Sequence, residues 1–241
     1  MCAERSASTS CWREVGAAVA DLFRLRVCHR KAGRLRHLSH LETARACERA
    51  IRRAGLPYAI TQGFKPRMRI AFGPALPVGT AGEREYYDVW LAQFVPLEHA
   101  VAGLRRTSVE NLAPVTGGYV SSDERSLAAA LVIAEYDVRV EGGIPQGELE
   151  RFLDELTSVG ALSVEHKGKK KDFDLALALP KRPEVRSEDG CSVIRATVRM
   201  SEQGSLRPDL FIAAAIGRPA RLAVTRVDLL TDDGGVWSRP L

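Results

Sequence analysis

At 241 residues and 45% hydrophobic content, the chain has material for one large domain or two small ones, and its 27% of charged residues is ordinary for a globular surface. No stretch approaches the ~20 apolar residues that cross a bilayer. Residues 1–11 are polar and small with no apolar signal core behind them, so membrane and secreted classes are set aside and a cytoplasmic protein is expected. The cysteines, Cys2, Cys11, Cys28, Cys47 and Cys191, are odd in number and share no short spacing, which argues against a disulfide framework and a metal site. No CxxxCxxC string is present to ligate a radical-SAM iron–sulfur cluster, and no cofactor is expected.

Residues 1–20 read as an N-terminal extension. From 23 to 30 the chain alternates, with Phe23, Leu25 and Val27 on one face and Arg24, Arg26 and Cys28 on the other, the pattern of a half-buried strand. After a turn at 31–33, Ser39 stands as an N-cap with Glu42 three residues on, a capping box that opens a helix over 40–54. Leu41, Ala44, Cys47, Ile51 and Ala54 share the inner face of that helix, Gly55 takes the C′ position, and Pro57 prevents continuation. An extended segment at 58–62, a loop at 63–66, strands at 67–72 and 85–94, a helix at 96–106 and a strand at 109–116 complete the order strand, helix, strand, strand, helix, strand.

A polar joint at 117–125 and a short helix at 126–134 lead into a second series. It has a strand at 135–141, a helix at 145–158, extended segments at 162–166 and 173–179, a strand at 193–200, a helix at 207–216 and a closing strand at 221–230. The expectation is an α+β protein of two tandem ferredoxin-like (βαββαβ) units with antiparallel sheets, a basic unit over 21–118 and a second unit over 119–241.

Positive charge is concentrated. Residues 24–69 hold 13 Lys/Arg against Glu42 and Glu48, a net +11 in a chain whose total is +5. Such a field attracts polyanions and steers them in. The outer face of the 40–54 helix carries Arg45, Arg49, Arg52 and Arg53, and two acids cannot neutralise four arginines and the neighbouring loop charges. A binding face is set against the alternative of a solvated one.

In the loop, Phe64 has two readings. It stacks on a base beside Gln62, Lys65 and Arg67, or it packs the loop back onto its own sheet, which is the commoner use of such a residue and the expectation here. The run of 167–171 caps a hairpin or clamps phosphate through Lys169 and Lys170. His37 and His40 flank the helix start and are candidates for acid–base work on RNA, with no carboxylate near in sequence to orient either ring. No P-loop, dinucleotide, HExxH or GxSxG string occurs.

The strings RHLSHLE, ERAIRRAGLP, QGFKP, RIAF and LPVG within 34–79 together resemble an uncharacterised radical-SAM-linked family, a domain of unknown function. The family pattern runs approximately FLSHLD, ERALRRAGLP, SQGFNPHPRISF and LPLG. His37 stands here for the usual aromatic, Glu42 for Asp, Lys65 for Asn and Met68 for Pro. Residues 164–174 resemble a second string of the family more weakly. The resemblance implies a radical-SAM protein as partner and an RNA- or ribosome-related role, and it carries over no catalytic residue.

The resulting expectation is an RNA-binding accessory protein. Its phosphate contacts would come from Arg34, Arg36, Arg45, Arg49 and Arg52, with a selective rim of Gln62, Phe64, Lys65 and Arg67 and further contacts from Lys169 and Lys170. The RNA would be a tRNA, an rRNA or another ribosome-related species. Two rival readings stand beside it: a subunit that docks a radical-SAM enzyme without touching RNA, and an RNA-processing or RNA-modifying enzyme using His37 or His40.

Overall fold

The computed structural model describes residues 22–166, 168–201 and 204–241. The expected N-terminal extension, together with Cys2 and Cys11, lies outside them. In chain order the elements are β1 (Phe23–Lys31), α1 (His40–Arg53), β2 (Ile70–Phe72), β3 (Ala81–Leu91), α2 (Leu97–Thr107), β4 (Pro114–Val120) and α3 (Leu127–Ala130). There follow β5 (Ile133–Glu141), α4 (Gln146–Val159), β6 (Ala161–His166), β7 (Lys169–Asp174), α5 (Leu175–Ala178), β8 (Glu184–Glu188), β9 (Cys191–Arg199), α6 (Pro208–Ile216), β10 (Arg221–Asp233) and β11 (Val236–Ser238).

The fold is mixed α and β with a mostly antiparallel sheet. Nine strands form one continuous sheet in the order β4-β1-β3-β10-β5-β9-β8, with β2 added to β3 and β11 to β10, while β6 and β7 pair separately. The expected two separate sheets are therefore one. The join is a short parallel contact, Thr225 with Ala81 and Arg226 with Gly82, between β10 and the start of β3. The far end of the same β3 edge pairs antiparallel with β2, from Ile70 opposite Val89 to Phe72 opposite Tyr87. β3 is long enough to serve both neighbours, because its 11 residues begin at Ala81 and not at 85.

Local signals explain α1. Ser39 Oγ accepts the Glu42 amide, and the Glu42 carboxylate returns to the Ser39 amide at 2.8 Å, closing the capping box. Gly55 takes φ +67° just past the helix, a conformation that an L side chain resists. Apolar burial then seats the helix. Cys47 and Ile51 pack with Ala100 and Leu104 of α2 against Leu25, Val27, Val89 and Leu91 of the sheet. In the second half Leu149 and Leu153 of α4 and Phe211, Ile212 and Ile216 of α6 cover Val138, Val140, Ile194 and Val198.

β1 departs from the expected half-buried strand, because its arginine face is covered. Arg24 and Arg26 are 4% and 1% exposed, and both bind Asp88, which is 0% exposed. The strand register sets Arg26 directly opposite Asp88. Arg24 Nη1 continues to the Glu124 carbonyl at 2.6 Å and Arg26 Nη1 to the Pro240 carbonyl at 3.2 Å. The segment after β4 and the chain's last residues are thereby held over the back of the sheet. The expected polar joint at 117–125 is accordingly divided: 117–120 belongs to β4, and Glu124 and Arg125 accept from Arg24.

Three further differences are local. The segment expected to be extended over 173–179 turns into α5 at Leu175, where the Asp174 side chain caps the Ala176 and Leu177 amides. The strand expected at 109–116 begins only at Pro114, after a 3-10 turn over 110–112. β8, an edge strand without strong alternation, had no sequence signal.

Candidate nucleic-acid interface

The capping box that starts α1 also decides which charges remain free on it. Glu42 is committed to Ser39, whose hydroxyl and amide bonds hold its carboxyl below the ordinary range. Glu48 pairs with Arg52 at 3.2 Å, one turn along. Tyr58 and Glu48 together raise the Arg52 guanidinium above its ordinary value. Both acids of the helix are thus spent, and Arg45, Arg49 and Arg53 stand exposed at successive i, i+4 positions with no ion pair among the described residues. Arg52, expected to contact phosphate, is the one arginine of the four already paired. Arg53, one turn beyond Arg49, continues the row in its place.

A 3-10 turn over Gly33–His37 precedes the helix and presents Arg34 and Arg36 to solvent. Its position is tied down by Ala32 donating to the Asn111 carbonyl at 3.1 Å and by Gly79 donating to the Arg36 carbonyl at 2.9 Å. The Arg36 Nε donates to His37 Nε2 at 3.3 Å. His40, the first residue of α1, meets Phe72 edge-on with 5.5 Å between ring centres. Neither His37 nor His40 is hydrogen-bonded to a carboxylate among the described residues.

The loop of Gln62, Phe64, Lys65 and Arg67 is the tip of a narrow hairpin. Ile60 bridges to Met68, Thr61 donates to the Arg67 carbonyl at 2.8 Å, and Arg67 donates back to Thr61 Oγ1 at 3.1 Å. Residues 60–67 are all exposed, and Phe64 is 104% exposed, more than an extended reference chain allows. This corrects the expectation that Phe64 packs its loop back onto the sheet. The apolar anchor of the hairpin is Met68, buried in the core under α1, which leaves Phe64 with nothing to pack on. Toward the hairpin base, Trp90 lies between two guanidiniums, Arg69 at 4.7 Å and Arg24 at 5.3 Å from the ring centre.

Of the basic residues in 24–69, Arg24, Arg26 and Lys31 are buried and Arg52 is paired. Arg34, Arg36, Arg45, Arg49, Arg53, Lys65 and Arg67 are exposed and without an ion pair among the described residues. Lys169 and Lys170 belong to the β6–β7 hairpin of the second half, which packs on α4 and α5. In that hairpin Lys170 is exposed and stands opposite Glu165. Lys167 lies outside the described residues. No group of three His, Cys, Asp or Glu that could hold a metal occurs among the described residues. No helix among them is long and apolar enough to cross a membrane.

The model of one protein family, described as an uncharacterized protein conserved in bacteria (DUF2344), matches residues 24–208. No curated protein matches the chain in sequence. Among solved structures, a chain in the crystal structure of a Cbf5-Nop10-Gar1 complex is similar at 11% identity and a TM-score of 0.43, over 85% of this chain and 48% of that one. The present chain thus spans about half the length of that relative. The crystal structure of an unknown protein from Galdieria sulphuraria is similar at 12% identity and a TM-score of 0.25, over 85% of this chain and 99% of that one.

Proposed function

Because this chain belongs to the DUF2344 family of uncharacterized bacterial proteins, its activity has to be read from its own residues, and we propose that it is an RNA-binding accessory protein. One observation carries the reading: a fully exposed Phe64 on a basic hairpin, in the same half of the molecule as the unpaired row Arg45, Arg49 and Arg53. An arginine row without counter-ions supplies phosphate contacts that are indifferent to sequence. An exposed aromatic ring supplies a stacking surface, which single-stranded RNA has free bases to use and a duplex does not. Gln62, Lys65 and Arg67 rim the ring and Arg34 and Arg36 extend the positive surface, so the preferred ligand is a single-stranded segment of a tRNA, an rRNA or another ribosome-related RNA.

Three finer points belong to the same proposal. Each half is a ferredoxin-like unit, supported by the orders β4-β1-β3-β2 and β10-β5-β9-β8, in which the first strand of each half lies between the last and the third. The units divide near residue 118. A cytoplasmic setting belongs to the same proposal, and a radical-SAM partner rests on the sequence pattern of 34–79 alone.

The test is purification from cells without nuclease, followed by sequencing of the retained nucleic acid. A defined RNA population, lost from a Phe64→Ala, Arg45→Gln, Arg49→Gln variant that keeps its circular dichroism, is the expected result. Nucleic-acid-free protein that also fails to bind labelled single-stranded RNA at low salt would overturn the reading.

A further inference from the structure

A cavity of about 30 Å³ sits between the start of α1 and the 73–76 loop. Its exposed lining residues are His40 and Ala75, which mark the mouth, while His29, Lys31 and Glu85 are buried and form the floor. Two of the floor groups are incompletely used. The Lys31 ammonium, on a residue 2% exposed, has three donors and binds one acceptor, the Leu38 carbonyl at 2.7 Å. His29, 3% exposed, puts Nδ1 2.9 Å from the Arg30 carbonyl, which can only accept, so that nitrogen carries the proton. His29 Nε2 is then left with a lone pair and no partner among the described residues. No fully enclosed side-chain nitrogen or oxygen among the described residues lacks a bond, so Nε2 is not fully enclosed, and His29 lines the cavity.

Glu85 does not neutralise the floor, because Arg226 binds both of its oxygens. Lys31, Arg226 and Glu85 together carry one net positive charge, and the further acid that acts on Lys31, Glu42, is held by Ser39 in the cap of α1. Water alone would fill the space with one or two molecules. A charged ligand uses the site more fully, since Lys31 and His29 both line it and keep donors and an acceptor without a partner among the described residues.

We propose that this cavity binds a single phosphoryl group, held by Lys31 and His29 and admitted past His40 and Ala75. Two of the phosphoryl oxygens accept from the free Lys31 donors. His29 Nε2 accepts from a protonated phosphoryl oxygen or, once itself protonated, donates to an unprotonated one. A terminal monoester dianion has no proton of its own, so in either form its complex holds one proton more than the free species, whereas the orthophosphate dianion already carries one O–H and can donate it to neutral Nε2 with no proton taken up. Burial holds His29 below its ordinary value, with the Arg30 carbonyl and Glu85 favouring the charged form and Lys31 and Arg226 opposing it, and His40 lines the same cavity from α1. For a terminal monoester dianion the affinity therefore weakens about tenfold per pH unit above neutrality, and for orthophosphate it does so only where the imidazolium form is the one that binds. The phosphoryl group is either free orthophosphate or the terminal phosphate of an RNA lying across Arg34 and Arg36. That second source rests on the RNA-binding reading and the first does not.

The experiment titrates the full chain with inorganic phosphate at about pH 6 and about pH 8. Calorimetry in buffers of different ionisation heat counts protons, and imidazole NMR follows His29. Saturable binding with a dissociation constant on the order of 1 mM and a shift of the His29 ring support the site, and the proton count tells the imidazolium form (about one taken up) from the neutral form (none). No saturable shift of His29 at either pH overturns it, and leaves RNA binding, measured in phosphate-free buffer, unaffected. A folded Lys31→Met variant loses phosphate affinity at least about tenfold if the site is real, and equal affinity overturns it. Should that variant not fold, the wild-type NMR titration decides alone. Displacement of phosphate by a 5′-phosphorylated oligonucleotide but not by its 5′-hydroxyl counterpart assigns the RNA terminus as ligand. Displacement by neither assigns free phosphate and detaches the pocket from the RNA reading.

Discussion

Replacing Arg45 and Arg49 with glutamine removes two charges from the α1 row without disturbing the fold, since both side chains are exposed and neither has an ion pair among the described residues. Surface changes of this kind usually move stability by less than about 0.5 kcal/mol. The effect on RNA binding is different in kind. Each phosphate contact on a single strand contributes about 0.7 to the slope of log affinity against log salt, so the double variant flattens the slope by about 1.4. Between about 50 and about 200 mM salt, that difference narrows the affinity gap between wild type and variant by roughly sevenfold. Anisotropy of a labelled single-stranded RNA, measured over that salt range with wild type and variant in parallel, reads the slope directly. A variant whose slope equals that of wild type refutes the assignment of the row, even if its affinity is lower. Arg52→Gln serves as the contrast. Its guanidinium already binds Glu48, so its removal also frees an acid, and the slope change is no larger than that of either single replacement in the row.

Phe64→Ala weakens RNA binding by about 1–3 kcal/mol, the usual contribution of one stacked base, with an unchanged melting temperature because the ring is fully exposed; a melting shift of several degrees would mean that the ring packs after all. Asp88→Ala leaves Arg24 and Arg26 buried without a counter-charge and costs about 3–5 kcal/mol, read as a lowered denaturant midpoint; a midpoint within error of wild type contradicts the buried triad. Burial lowers the His29 pKa from its ordinary 6.5, so the unfolded chain takes up a proton that the folded chain refuses. Stability is therefore full above pH 6.5 and falls as the pH drops below it, by up to about 1.4 kcal/mol per pH unit. Urea midpoints in phosphate-free buffer between about pH 7 and about pH 5.5 test the sign, and a flat profile rejects it. Ser39→Ala removes the cap of α1 at a cost of about 1 kcal/mol, and a neutral result would show that the Glu42 half of the box suffices.

The α1 helix was legible except at Leu41, which was expected on its inner face and stands exposed, since every signal that makes it lies within a few positions. Ser39 and Glu42 close the cap, Cys47 and Ile51 mark the inner face, and Gly55 ends the helix with a positive φ. The concentration of positive charge in 24–69 was equally plain, and with it the candidate residues of the 62–67 loop. Which of those charges face solvent was not. Arg24 and Arg26 sit in an alternating strand that reads as half exposed, yet Asp88, more than sixty positions away, faces them across the β1–β3 register. The backbone near Glu124 and Pro240 then seals them in. The join of β10 to β3 rests on two residue pairs between strands distant in sequence, and the cavity floored by His29, Lys31 and Glu85 takes residues from separate strands. Local order follows from hydrogen bonds and apolar spacing within a few residues, which a sequence displays. The neutralisation of a charge, or its exposure, depends on which distant strand packs beside it, and that is decided only when the whole sheet has formed.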